Sequence, residues 1–187
     1  MMTQRVNPFT VVPDGVAALV GVENYLRMCG LDHKLIALVK TRVSQINGCA
    51  YCLHMHTEEA RKLGESEVRL HLLDAWHESN LYSARERAAL AWAESLTNIA
   101  ATHAPDHVYE EARRHFSEKE LGDLSIVIAM INAWNRLATG ARSFTRGTSQ
   151  KPHDQAVTDA TRKSHYSRLS ARHRKEMAAS ASSWFDR

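Results

Sequence analysis

Apolar positions between Pro13 and Gly140 recur at intervals of three and four, and the breaks in that rhythm fall at helix start and stop residues. Pro13 opens a helix that runs to about Cys29 and stops at Gly30. Its apolar residues Val16, Leu19, Val20, Val22, Leu26 and Met28 form a loose stripe. Asp32 caps a second helix, carrying Leu35, Leu38, Val39, Val43 and Ile46, which ends near Asn47 and Gly48. A third runs from about Cys49 to Leu63, before Gly64. Ser66 caps a short one with Val68, Leu72, Leu73 and Trp76.

Two S-x-x-E capping boxes, Ser83–Glu86 and Ser117–Glu120, each precede an apolar-periodic run. The first run reaches about Ile99; the second carries Ile126, Val127, Met130, Ile131, Trp134 and Leu137 to Gly140. Between them Pro105 opens a helix to about Phe116. The Thr10-Val11-Val12 run is too short for a strand, and nothing else competes as a sheet. The pattern predicts an all-α domain of six to eight helices over residues 1–144.

The pattern fails after residue 144. Residues 145–187 hold nine Lys/Arg and four Asp/Glu, so this tail is +5 while residues 1–144 are −2. It reads as a basic extension, flexible or a loosely docked helix, with too little apolar surface to offset ordering entropy. The basic pI of about 8.8 therefore belongs to the tail, which argues against a nucleic-acid footprint on the domain. No run of about 18 apolar residues suggests a membrane span. The N-terminus lacks a secretory pattern, so a cytoplasmic location is expected. Three cysteines are too few for a secreted disulfide framework.

The chemistry concentrates in Cys49-Ala50-Tyr51-Cys52-Leu53-His54-Met55-His56. On a helix, Cys49 and Cys52 share a face at a spacing of three, and Cys52 and His56 at four; His54 points elsewhere. A helix start lowers a thiol pKa and a histidine moves protons near neutral pH, so the cluster suits thiol redox work. Two other readings stay open. The cysteines can be buried packing residues beside a satisfied histidine. A zinc site would use the same three residues, but needs a fourth ligand or water, and no second C-x-x-C or H-x-H lies at finger spacing. A thioredoxin-like site would need a βαβ setting. Cys29 has no partner in sequence and reads as a small hydrophobe, and Trp76, Trp92 and Trp134 read as core.

The stretch Arg42-Val43-Ser44-Gln45-Ile46-Asn47-Gly48-Cys49-Ala50-Tyr51-Cys52, with His56-Thr57, resembles the alkylhydroperoxidase AhpD-like core of the carboxymuconolactone decarboxylase superfamily. The run Ile131-Asn132-Ala133-Trp134-Asn135-Arg136 is similar to the closing helix of that group. The resemblance implies an all-helical fold, a homotrimer or homohexamer, and hydroperoxide reduction with no cofactor and no metal. Within it Cys52 matches the attacking cysteine, Cys49 the resolving one and His56 the proton relay. A thiol, lipoyl-type or thioredoxin-type reductant would reset the pair. The family's Glu twelve residues before the first cysteine is replaced by Ala37, so one arm of the relay is missing. Two alternatives follow: a carboxymuconolactone decarboxylase-type lyase, which the thiol pair argues against, and a non-enzymatic redox sensor or interaction protein.

Overall fold

A computed structural model describes residues 3–143; the basic extension expected over residues 145–187 lies outside them. The described residues form nine α-helices and one 3₁₀ turn. They are α1 (Pro8–Val11), α2 (Pro13–Leu26), α3 (His33–Ile46), α4 (Ala50–Lys62) and α5 (Glu67–Leu72), then the 3₁₀ turn Leu73–Ala75. After it come α6 (Ala84–Thr97), α7 (Ile99–Thr102), α8 (Asp106–His115) and α9 (Glu118–Ala141).

The all-α expectation is met, with more elements than the six to eight anticipated. The extra ones are the single turns α1 and α7, too short to leave a periodic signal. The Thr10-Val11 pair lies in α1, where the Asn7 side chain caps the turn by accepting the Phe9 N–H at 3.1 Å. Both capping boxes form, and Ser66 and Asp32 cap as their spacing implies. Replacing any of these caps by Ala costs about 1 kcal/mol.

Helix α3 is the centre of the bundle. Every residue from Leu35 to Thr41 is buried, because α4, α6 and α9 all pack against it. Val39 and Val43 meet Ala89 and Ala93 of α6 and Leu124, Val127 and Ile131 of α9, all without exposed surface. Truncating such a residue to Ala removes ~2–5 kcal/mol. Ala37 faces a second, small-residue contact with Ala60 of α4 and Leu70 of α5, which lets α3 and α4 lie close.

Some apolar positions do not reach the core. Helix α2 stops at Leu26, so Met28 loses the helical phase and is 82% exposed. Val68, Ile126 and Leu137 are also exposed. Gly140 lies inside α9, which ends instead at Arg142 in the left-handed region.

The chain before α2 runs back across α9. The Arg5 N–H donates to the Ala141 carbonyl at 3.0 Å, and the Phe9 ring stacks on Trp134 at 6.4 Å between centroids. Among the described residues no helix is long and apolar enough to cross a membrane.

Candidate active site

The site begins where α3 ends. Gly48 closes that helix with φ +62°, a left-handed conformation that side chains disfavour. The Gly48 N–H donates to the Gln45 carbonyl and the Cys49 N–H to the Ser44 carbonyl, both at 3.1 Å. This tight turn delivers Cys49 as the N-cap of α4 rather than as its first helical residue. Its sulfur accepts the Cys52 N–H at 3.4 Å, as a capping oxygen would.

The two sulfurs lie 2.7 Å apart, and both residues are almost wholly buried among apolar neighbours. The thiols are free. The Cys52 N–H and the positive end of α4 both favour charge on Cys49. The Cys52 S–H, the Cys52 N–H, and the Thr139 and Asn135 side chains together hold the Cys49 thiol down to about 6 against the opposing effect of burial. The same hydrogen bond, followed by burial, pushes Cys52 up.

His56 lies one turn beyond Cys52 on the buried face of α4. Its Nδ1 is 2.9 Å from Oε2 of Glu59, a half-exposed carboxylate three residues on. An ionised carboxylate accepts only, so the imidazole proton sits on Nδ1 and Nε2 carries the lone pair. Burial holds His56 below its ordinary pKa, with Glu59 acting in the opposite sense, while the His56 contact pulls Glu59 down.

The structure brings Cys49 and Cys52 into contact and places His56 on the same helix face, bonded to Glu59. His54 instead points outward, 3.7 Å from Glu58. Ala37, which stands where the family has a Glu, is buried in a cluster with Ala60 and Leu70. Glu59 supplies the carboxylate from α4 itself, a spacing of three that was readable in sequence. Glu23 of α2 and Lys40 of α3 form a largely buried ion pair at 2.7 Å. Oε1 of Glu23 also accepts the Trp134 indole N–H at 2.9 Å.

Sequence reasoning placed Asn135 in the closing helix, for a subunit contact or the closing turn, and gave it no catalytic role. It falls four residues after Ile131, on the buried stripe of α9, and is 1% exposed. A polar residue in phase with a core stripe was its signal. Cys29 is half-buried against the core, its thiol 3.2 Å from the Leu26 carbonyl. Trp76 and Trp92 are buried, and Trp134 packs against the core. Among the described residues no group of three or more His, Cys, Asp or Glu side chains is arranged to hold a metal ion.

Known proteins share this arrangement of chain. The sequence model of the Carboxymuconolactone decarboxylase family matches residues 13–95. The Bacillus subtilis (strain 168) protein YdfG is 41% identical over 147 residues, which cover 78% of this chain and 100% of YdfG. A crystal structure of a protein of unknown function from Agrobacterium tumefaciens, suggested to be the antioxidant defence protein AhpD, is 42% identical. It superposes with a TM-score of 0.76 over 78% of this chain and 100% of that one. An uncharacterized peroxidase-related protein from Silicibacter sp. TM1040 is 26% identical, with a TM-score of 0.61 over 70% of this chain and 69% of its own.

Proposed function

Because the chain belongs to the carboxymuconolactone decarboxylase family, in its AhpD-like branch, we propose that it is a thiol peroxidase working through Cys49 and Cys52. The observation that carries this reading is the sulfur pair itself: 2.7 Å apart, with a helix N-terminus favouring charge on Cys49.

In the proposed reaction Cys49 acts first as a base. It takes the proton of Cys52, and the Cys52 thiolate attacks the hydroperoxide. The O–O bond breaks, Cys52 becomes a sulfenic acid, and the alkoxide takes a proton to leave as alcohol. Cys49, again ionised, attacks the sulfenic sulfur and expels hydroxide, which leaves as water. One thiol, one thiolate, one hydroperoxide and one proton from solvent thus give one disulfide, one alcohol and one water. Neutral His56, with its Nδ1–H committed to Glu59, moves the protons between the pair and the leaving oxygen. A thiol, lipoyl-type or thioredoxin-type dithiol returns the pair to the reduced state by exchange. We place this activity in the cytoplasm and in a homotrimer or homohexamer.

The test uses fully reduced protein without oxygen, mixed with cumene hydroperoxide and followed by intact mass. The reading predicts stoichiometric consumption and loss of two hydrogens, mapped to Cys49–Cys52. Free thiols and unconsumed hydroperoxide would remove it.

A further inference from the structure

One side chain of α9 holds the turn that presents Cys49. The turn runs from Ser44 to Cys49, where α3 gives way to α4. Its backbone closes on itself, the Cys49 N–H donating to the Ser44 carbonyl at 3.1 Å. Asn135, buried on α9, grips it at two points. Its Nδ2 donates to Ser44 Oγ at 3.1 Å, and its Oδ1 accepts from Asn47 Nδ2 at 2.9 Å. Ser44 begins the turn, and Asn47 precedes the left-handed Gly48 and Cys49.

Neither grip can be reversed. The Ser44 hydroxyl donates to the Lys40 carbonyl at 2.8 Å, which leaves its oxygen to accept. Asn47 Nδ2 also donates to Asn132 Oδ1 at 3.0 Å. The Asn132 nitrogen is engaged in turn, donating to Thr97 Oγ1 at 3.1 Å and to the Ile128 carbonyl at 3.0 Å. Each carboxamide has one orientation that satisfies its neighbours. The turn is thereby tied to α9 and, through Asn132 and Thr97, to α6.

Cys49 belongs to α4 only from its carbonyl onward, where it accepts the Leu53 N–H at 2.9 Å. Its own N–H belongs to the turn. How the Cys49 sulfur meets Cys52 therefore depends on where the turn sets the Cys49 nitrogen. Two thiols held in contact close a disulfide with little further loss of freedom. A released turn would let the dithiol form spread over arrangements that the disulfide forbids. We infer that Asn135 is a positioning residue for the cysteine pair: by clamping Ser44 and Asn47 it fixes the turn that holds Cys49 against Cys52, and so favours closing of the disulfide. This deepens the thiol reading of the site and rests on it.

The experiment measures the dithiol–disulfide equilibrium of the full chain, in a Cys29→Ser background, against graded ratios of lipoic and dihydrolipoic acid. The protein dithiol gives two electrons and two protons to lipoic acid; one S–S bond forms in the protein and one breaks in the reagent. Samples are quenched in acid, thiols are capped with a maleimide, and the intact mass counts them. Asn135→Leu removes both grips and should shift the equilibrium about tenfold or more toward the dithiol. Asn47→Ala removes one grip and should shift it about fivefold in the same direction, so it serves if Asn135→Leu does not fold. Leu124→Ala removes core packing from the same helix but no bond to the turn, and should leave the equilibrium unmoved. An unshifted equilibrium in folded Asn135→Leu would overturn the inference, and so would an equal shift in Leu124→Ala. If only Asn47→Ala folds, an unshifted equilibrium there does the same. An unsubstituted pair that stays dithiol at every ratio also overturns it. The exchange uses no hydroperoxide, so the two readings fail separately. A protein inert to hydroperoxide whose equilibrium shifts in Asn135→Leu keeps Asn135 in its role. A working peroxidase with an unshifted equilibrium loses only Asn135.

Discussion

Nδ1 of His56 lies 2.9 Å from Oε2 of Glu59, and this contact fixes the tautomer of the imidazole buried one turn beyond Cys52. Glu59→Gln keeps the shape but removes the charge that raises the basicity of the imidazole. It should slow the reaction of reduced protein with hydroperoxide about tenfold at neutral pH. His56→Ala should cost more, ~10²-fold or above. Stopped-flow consumption rates for the two variants check the order; equal rates for Glu59→Gln and the unsubstituted chain would refute it.

Burial of His56 also makes stability depend on pH. The imidazole resists protonation in the fold, whereas in the unfolded chain it titrates near 6.5. Below about that pH the unfolded chain binds more protons, so stability is complete above it and drains away as pH falls toward the lowered folded value. Glu59, lowered by its contact with His56, adds a second loss below about 4.5. Thermal melting between pH 7.5 and 5 should show Tm falling by a few degrees, and His56→Gln should flatten that slope. An equally steep slope in the variant would assign it to other groups.

Cys49 caps a helix as well as carrying charge, so its substitutions separate the two roles. Serine is a good N-cap and alanine a poor one. Cys49→Ser should therefore melt near the unsubstituted protein, while Cys49→Ala should lose about 1 kcal/mol in urea unfolding. In Cys49→Ser a dimedone-type probe should trap sulfenic acid on Cys52. Trapping on Cys49 in Cys52→Ser, with none on Cys52 in Cys49→Ser, would reverse the proposed order of attack.

Placing a carboxylate at position 37 should not restore a relay. Ala37 has no exposed surface and meets Ala60 and Leu70, so Ala37→Glu buries a polar group in an overfilled contact. The expected cost is about 3 kcal/mol or more, with no gain in peroxide rate. Faster turnover in a stable variant would show that the contact opens toward the pair.

Much of this was readable before the fold. Capping residues and the three-four rhythm placed the longer helices, and the C-x-x-C-x-x-x-H spacing put Cys49, Cys52 and His56 on one side of α4. What spacing could not supply was contact across helices. Glu59 stands at a readable spacing of three from His56, but that Glu23 turns instead to Lys40 and Trp134 depended on contact between α2, α3 and α9. The structure gives Glu59 to His56, Glu58 to His54 and Glu23 to Lys40. Asn135 was hidden for the same reason: its partners Ser44 and Asn47 lie about ninety residues away in sequence. Met28 misled in the opposite way, since its periodic position continued past the true end of α2.

The cap on α4 is made of the same atom that the proposed chemistry changes. In the reduced pair the Cys49 sulfur carries charge and accepts the Cys52 amide. Once bonded to its neighbour, that sulfur is neutral and a far weaker acceptor. The first turn of α4 then keeps its packing but loses its anchor, so oxidation should be felt as fraying at one backbone position. The Cys52 amide proton is thus expected to exchange with solvent faster, and to shift upfield in an NMR spectrum, when the pair is oxidised. A single nitrogen would report the redox state of the whole protein.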